Sequence, residues 1–233
     1  MAGDIFARDW AAHPPNTSPE YRSTAFRAPA KPLIPLQQTL SELTGPVYGH
    51  DTIGELDADL TRNAVKGGEP LGERIIVEGR VLDENGRPQA DTLIEVWQAN
   101  AAGRYVDRND DHDAPLDQNF LGGGRCVTDS SGRYRFLTIK PGSYPWGNHT
   151  NAWRPQHIHF SLFGPSIATR LITQMYFPGD PLLDLDPIFL ATPEGARDRL
   201  IGQFSLDTTE EGYALGYEFD IVLRGRNETP MET

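Results

Sequence analysis

From Arg74 onward the sequence reads as short runs rich in Val, Ile, Leu and aromatic residues, cut at intervals by Gly, Pro, Asn and Asp. This punctuation restricts the fold more than any other feature of the chain. Arg74 to Leu82 and Thr92 to Ala99 flank the turn signal Asp83-Glu84-Asn85-Gly86 and predict a hairpin. Gly124 to Thr128, Tyr134 to Ile139, His157 to Phe163, Arg170 to Phe177 and Tyr217 to Leu223 predict further strands. In the last of these, Tyr217, Phe219, Ile221 and Leu223 alternate with Glu218 and Asp220. Thr192-Pro193-Glu194 carries the start signals of a helix over Ala196 to Phe204. The expected fold is all-β, a β-sandwich core of two mainly antiparallel sheets with an extended N-terminal arm and few short helices.

Residues 1 to about 68 differ from the rest, being dense in proline and polar residues, with one short candidate helix around Leu36 to Leu43. Trp10, Tyr21, Phe26, Leu33, Ile34, Leu36 and Tyr48 supply apolar anchors that a purely solvated tail lacks. The expected organisation is an arm over 1–68, docked on the core and on a partner, followed by a sandwich domain over 69–233. A chain of 233 residues accommodates one such domain comfortably.

A formal charge of −12 argues against binding nucleic acid or an anionic membrane through a general basic surface. It also provides no long-range attraction for an anionic substrate, so any anion must be captured locally. The single cysteine, Cys126, excludes an intrachain disulfide framework and is expected to pack as a small apolar residue. The first ten residues contain no apolar leader core, and no apolar run is long enough to span a bilayer. The expectation is a soluble cytoplasmic protein.

In Trp153-Arg154-Pro155-Gln156-His157-Ile158-His159-Phe160 the two histidines share one face of an extended segment, about 7 Å apart at the backbone. That spacing lets two imidazoles converge on one metal ion with bonds of roughly 2.1 Å. Half-exposed or hydrogen-bonded core histidines are the alternative. His13, His50, His112 and His149 lie in segments rich in Pro, Asn, Asp or Gly, where solvated loop positions are expected, and there is no His-Glu-x-x-His signature. Tyr105 and Tyr144 follow predicted strands and are expected in turns, the second stiffened by Pro141-Gly142 and Pro145. A phenol with a free pKa near 10 ligates as an anion near neutral pH only beside a strongly acidic cation, and two such ligands suggest ferric iron. Amphipathic packing at a sandwich rim is the competing reading of both tyrosines.

Trp97-Gln98-Ala99-Asn100, Gly103-Arg104-Tyr105, Ala114-Pro115-Leu116-Asp117, Pro141-Gly142-Ser143-Tyr144-Pro145-Trp146 and the segment Trp153 to Phe160 occur in one order. Their combination resembles the intradiol ring-cleavage dioxygenases. The resemblance extends to the arm around Tyr21, to Thr39 to Gly45 and to Tyr176 to Leu182, which points to the iron-bearing β subunits of the protocatechuate-cleaving branch. Catechol-cleaving members carry a helical N-terminal dimerisation region that has no counterpart here.

The resemblance implies that Tyr105, Tyr144, His157 and His159 bind a non-haem Fe(III), with Tyr144 and His159 axial and water or hydroxide in the fifth position. It implies that departing Tyr144 and the bound hydroxide take up two catechol protons. Arg154 is then expected beside the substrate ring, stabilising negative charge. Trp146 and Ile188 resemble wall residues of the ring pocket, Gln174 a polar pocket residue, and Tyr21 an arm residue near the substrate carboxylate. The implied substrates are a small aromatic dihydroxy acid and O2, and the implied partner is an α subunit of the same fold in a hetero-oligomer of αβ units. Cleavage of another catechol, such as catechol itself or hydroxyquinol, and a non-catalytic binding or assembly subunit are the alternatives. One departure is Gly147, where some relatives carry a basic residue.

Overall fold

The computed structural model describes residues 9–15, 31, 52–64, 67–147, 152–164 and 170–232. Among them are eleven strands: β1 (Arg74–Leu82), β2 (Leu93–Trp97), β3 (Gly123–Val127), β4 (Arg133–Ile139), β5 (Tyr144–Trp146), β6 (Ala152–Arg154), β7 (His157–Phe163), β8 (Leu171–Tyr176), β9 (Gln203–Glu210), β10 (Ala214–Glu218) and β11 (Ile221–Val222). Two short α-helices, α1 (Pro187–Ala191) and α2 (Glu194–Arg197), lie between β8 and β9. One sheet runs β11-β1-β10-β9, with β4 also paired to β1; the second runs β3-β2-β7-β8; β5 and β6 form a separate ribbon. Pairing is antiparallel except where β1 meets β10 and β11.

Alternation along the strands builds the core. Ile75, Val77, Tyr134, Phe136 and Tyr217 from the first sheet share one cluster with Ile94, Val96, Cys126, Ile158, Phe160, Leu162 and Met175 from the second. Each such fully buried aliphatic or aromatic side chain contributes about 1.5–3 kcal/mol relative to exposure. Two inner faces closing on one core make a β-sandwich, as the strand pattern predicts.

Five sequence expectations are corrected. The turn at 83–86 forms, with the Asp83 carboxylate accepting from the backbone N–H groups of Asn85 and Arg87, yet β1 and β2 do not make a hairpin. The returning chain pairs with β1 only as far as Pro88 and Gln89, bonding Gln89 N to Val81 O at 2.8 Å, and then crosses to the other sheet. Both strands carry a core-facing apolar set, and placing them in opposing sheets lets the two sets meet.

The run from Tyr217 breaks into β10 and β11, because around Phe219 and Asp220 other groups replace the ladder. The Phe219 carbonyl accepts from the buried Tyr134 hydroxyl, and the Asp220 carboxylate accepts from Arg80 N. The helix expected over Ala196 to Phe204 is only α2 plus a 3-10 turn, Asp198–Leu200; the chain is extended at Ile201 and enters β9 at Gln203. Tyr144 sits in a strand, β5, rather than in a turn. The candidate helix at Leu36 to Leu43 lies outside the described residues, as do His50 and His149.

His13 is also corrected, from a solvated loop position to a buried one. Its Nδ1 accepts from Met231 N at 3.0 Å, which leaves Nε2–H to donate to the Glu228 carboxylate at 2.6 Å.

Cys126 is buried against the core as expected, and burial pushes its thiol up to about 12. The native thiol should resist alkylation at pH 8 and react fully only after denaturation, a difference that mass spectrometry reads directly. An unfolded thiol ionises near pH 8.5, so above that pH the unfolded state sheds its proton first. The Cys126 contribution to stability is therefore lost as pH rises toward 12. Among the described residues no helix is long and apolar enough to cross a membrane.

Candidate metal and substrate site

Strand β7 is buried on both faces. Its period of two sends Ile158, Phe160 and Leu162 into the core and leaves His157, His159 and Ser161 on the opposite face. Register then assembles the site across the sheet. His159 lies between Trp97 on β2 and Gln174 on β8, and His157 lies opposite Tyr176. The imidazole of His159 stacks on Trp97 with ring centroids 4.7 Å apart and planes 4° from parallel.

Tyr105 reaches this face from a loop and Tyr144 from the start of β5, and glycines let the two segments touch. Gly103 has φ +79°, and a Cβ there would collide with the carbonyl of Ser143; a Cβ on Gly142 would collide with the carbonyl of Ala101. Asn100 ties the loops together. Its carbonyl accepts from Gly103 N at 3.0 Å and Gly142 N at 2.9 Å, while its side chain accepts from Ala102 N and Arg104 N. Asp110 adds a bond from Tyr105 N at 2.8 Å. The Tyr105 and Tyr144 rings consequently meet edge to face, with centroids 5.4 Å apart at 86°. Gly103→Ala should cost at least 1–2 kcal/mol from its left-handed backbone alone, and more from separating the loops. Thermal unfolding and metal content should fall together in that variant.

Around the four side chains the ring centroids of His157 and His159 are 4.9 Å apart, those of Tyr144 and His157 5.6 Å, and those of Tyr105 and His159 6.5 Å. Each histidine has one nitrogen committed elsewhere. His157 Nδ1 donates to the Pro155 carbonyl at 2.6 Å, leaving Nε2 to face the Tyr144 hydroxyl at 3.4 Å. His159 Nδ1 lies 2.9 Å from the Glu232 carboxylate. Burial, then the positive charge of Arg154 and the proximity of His159, hold the His157 pKa well below the usual imidazole value, so the ring is a neutral donor at pH 7.

Burial pushes the Tyr105 phenol well above its ordinary value, with Tyr144 adding to the shift, and burial likewise raises Tyr144. Although Tyr144 is close enough to act on it electrostatically, the buried Tyr105 hydroxyl has no hydrogen-bond partner of acceptable geometry among the described residues. Two imidazoles, each with one nitrogen oriented by an outer acceptor, and two adjacent phenols, one of them unpaired, fit a hard, strongly acidic metal ion. Among the described residues no three His, Cys, Asp or Glu side chains cluster as a metal site.

Arg154 lies at the rim of the same site because β5 pairs with β6 in the register Tyr144↔Arg154. Its guanidinium is buried. Nε pairs with the Asp186 carboxylate at 3.2 Å, and Nη2 donates to Gln174 Oε1 at 2.5 Å and to the Tyr176 hydroxyl at 3.2 Å. Burial by itself opposes the charge, but Tyr176, Asp186, Tyr144 and Tyr105 outweigh it and raise the pKa above the normal guanidinium value. Asp186 is fully buried and also caps α1, accepting from Ile188 N and Phe189 N. The cap fixes Ile188 next to Gln174 and Tyr176, where all three line one small cavity. The Trp146 ring centroid is 5.8 Å from the Arg154 guanidinium carbon. Gly147 is exposed, with open space where a side chain would project.

Tyr105, Tyr144, Trp146, Arg154, His157, His159, Gln174 and Ile188 thus gather in one region, and Tyr21 lies outside the described residues. Sequence reasoning missed Tyr176, Asp186 and Glu232. Alternation with Gln174 along β8 signals Tyr176, and an Asp before Pro187 at a helix start signals Asp186; no pattern signals Glu232.

A sandwich presenting two histidines on one strand and two tyrosines on glycine-joined segments defines a class, and comparison with known proteins supplies its family. A family model described as Dioxygenase matches residues 43–225, and one described as the N-terminal part of the protocatechuate 3,4-dioxygenase beta subunit matches residues 6–39. The chain belongs to the intradiol ring-cleavage dioxygenase family. It is 71% identical over 225 residues to the protocatechuate 3,4-dioxygenase beta chain of Burkholderia cepacia, covering 97% of this chain and 96% of that relative. It is 30% identical over 211 residues to the alpha chain of the Pseudomonas putida enzyme, covering 85% and 97% respectively. Among solved structures, the dioxygenase domain of a carbohydrate-binding fusion from Streptomyces sp. SirexAA-E superposes with a TM-score of 0.51 at 26% identity, covering 76% of this chain and 92% of that one.

Proposed function

We propose that the chain is the iron-bearing β subunit of an intradiol dioxygenase that cleaves protocatechuate with O2 to 3-carboxy-cis,cis-muconate. The observation that carries this reading is the meeting of His157, His159, Tyr105 and Tyr144, with the Tyr105 hydroxyl buried and unpaired, inside a chain 71% identical to a protocatechuate-cleaving relative. His157 and His159 would hold the metal as neutral imidazoles, and Tyr105 and Tyr144 as phenolates. A ferric ion supplies the Lewis acidity that phenols raised by burial require before they ionise near neutral pH, and it does the same for the hydroxyls of a catechol.

The protein's own groups do the rest. Tyr144 would serve as the base for one catechol proton through its phenol oxygen, which in the metal-free protein lies 3.4 Å from His157 Nε2. Arg154, locked by Asp186, Gln174 and Tyr176, presents a fixed positive charge to the negative charge that develops on the ring. Trp146 and Ile188 wall the ring and limit water.

The arm over 1–68 docks on the core and on an α-type partner of the same fold, and Tyr21 approaches the substrate carboxylate from it. The assembly works in the cytoplasm. Oxygen consumption by the protein co-produced with its α-type partner tests the substrate. Uptake with protocatechuate, matched by formation of the carboxymuconate, supports the reading. Faster turnover of catechol or hydroxyquinol overturns the substrate assignment.

A further inference from the structure

Residues 228–232 are fastened along their length to strands of both sheets. Thr229 N donates to Val222 O at 2.8 Å, Thr173 Oγ1 donates to the Pro230 carbonyl at 2.7 Å, and Glu232 N donates to Ile172 O at 2.8 Å. Residues 9–15 lock the segment from the other side, through Met231 N to His13 Nδ1 and through the buried His13–Glu228 pair. These contacts deliver Glu232 Oε2 to within 2.9 Å of His159 Nδ1, with only 22% of the Glu232 side chain and 10% of the His159 side chain exposed.

The two histidines differ in what orients them. His157 bonds to the carbonyl of Pro155 in its own strand approach, a restraint that comes with the local backbone. His159 depends on a carboxylate 73 residues away. The stack on Trp97 fixes the plane of the His159 ring, but a ring turned over by 180° in that plane would stack equally well. Only an acceptor at Nδ1 distinguishes the two orientations. A carboxylate cannot donate once ionised, so it selects the tautomer with Nδ1–H and leaves Nε2 as the single lone pair of the ring.

We propose that Glu232 is a positioning residue for His159, holding it in one tautomer and one ring orientation for metal binding, and that residues 228–232, locked by His13, are the strap that delivers it. The metal-binding part of this inference rests on the iron reading above.

The test uses the complex co-produced with its α-type partner, as wild type, Glu232→Ala and Glu232→Gln. Iron loss to a chelator is followed in each, together with the ring 15N signals of His159 in the metal-free protein. Glu232→Ala should release iron about 10–100-fold faster, the usual effect of removing an outer-shell partner, and should show mixed His159 tautomers. Glu232→Gln, whose amide oxygen still accepts, should recover the Nδ1–H tautomer and most of the iron retention. Wild-type iron loss together with an unchanged tautomer in Glu232→Ala would overturn the proposal. A variant that loses iron with its tautomer intact would overturn it too, since the tail would then act only through general stability. A wild type that binds no iron sinks the iron reading instead, and the tautomer comparison still decides the positioning role.

Discussion

Tyr105→Phe should empty the metal site while leaving the metal-free protein as stable as wild type, or slightly more stable. The usual cost of deleting a buried hydroxyl is the hydrogen bond that it made. Tyr105 makes none among the described residues, and burial holds its phenol protonated when no cation is present. Phenylalanine keeps the ring that packs edge to face on Tyr144, so only the oxygen is lost. Loss of a direct ligand should reduce iron affinity by more than the roughly 10–100-fold that removal of an outer-shell partner costs. Iron content after dialysis against a chelator, together with the melting temperature of the metal-free protein, checks both halves. A variant that keeps a full complement of iron removes Tyr105 from the ligand set.

Arg154→Ala should retain iron but lose turnover by a factor on the order of 10²–10³, the typical effect of deleting one preorganised electrostatic group. It should also unfold more easily. The deletion leaves the fully buried Asp186 carboxylate without its cation, a loss of about 3–5 kcal/mol when a buried pair is broken on one side. The helix-cap bonds to Ile188 N and Phe189 N offset part of that cost. Arg154→Lys separates the two effects. A lysine keeps a positive charge near Asp186 and so most of the stability. It cannot form the planar fork that reaches Asp186 through Nε and Gln174 through Nη2 at once. Its turnover should therefore fall nearly as far as that of the alanine variant, with a melting temperature closer to wild type. Wild-type turnover in Arg154→Lys would remove the geometric role assigned to the guanidinium.

How much of this is legible in the sequence depends on the range of the interaction. Strand β7 reads directly, because a period-two run such as His157 to Phe163 fixes which residues share a face wherever the strand ends up. The partners of β1 do not, since a turn at 83–86 is equally compatible with a hairpin and with a crossover, and only the need for two apolar faces to meet decides between them. The Tyr144 segment reads as a turn because Pro145 looks like a breaker. In a two-stranded ribbon, however, a proline is tolerated, and the ribbon is what sets Tyr144 opposite Arg154. The candidate ligand residues are legible through their neighbouring motifs. Asp186 and Glu232 are not, because each makes its contact at large sequence separation, 32 residues to Arg154 and 73 to His159.

The central claim is that Tyr105 and Tyr144 meet one ferric ion as phenolates. The visible spectrum of the iron-loaded complex, recorded with and without protocatechuate, tests it most directly. Two tyrosinates on Fe(III) would give an intense charge-transfer band that changes on addition of the substrate. A protein that carries stoichiometric iron yet stays colourless in both conditions would contradict it.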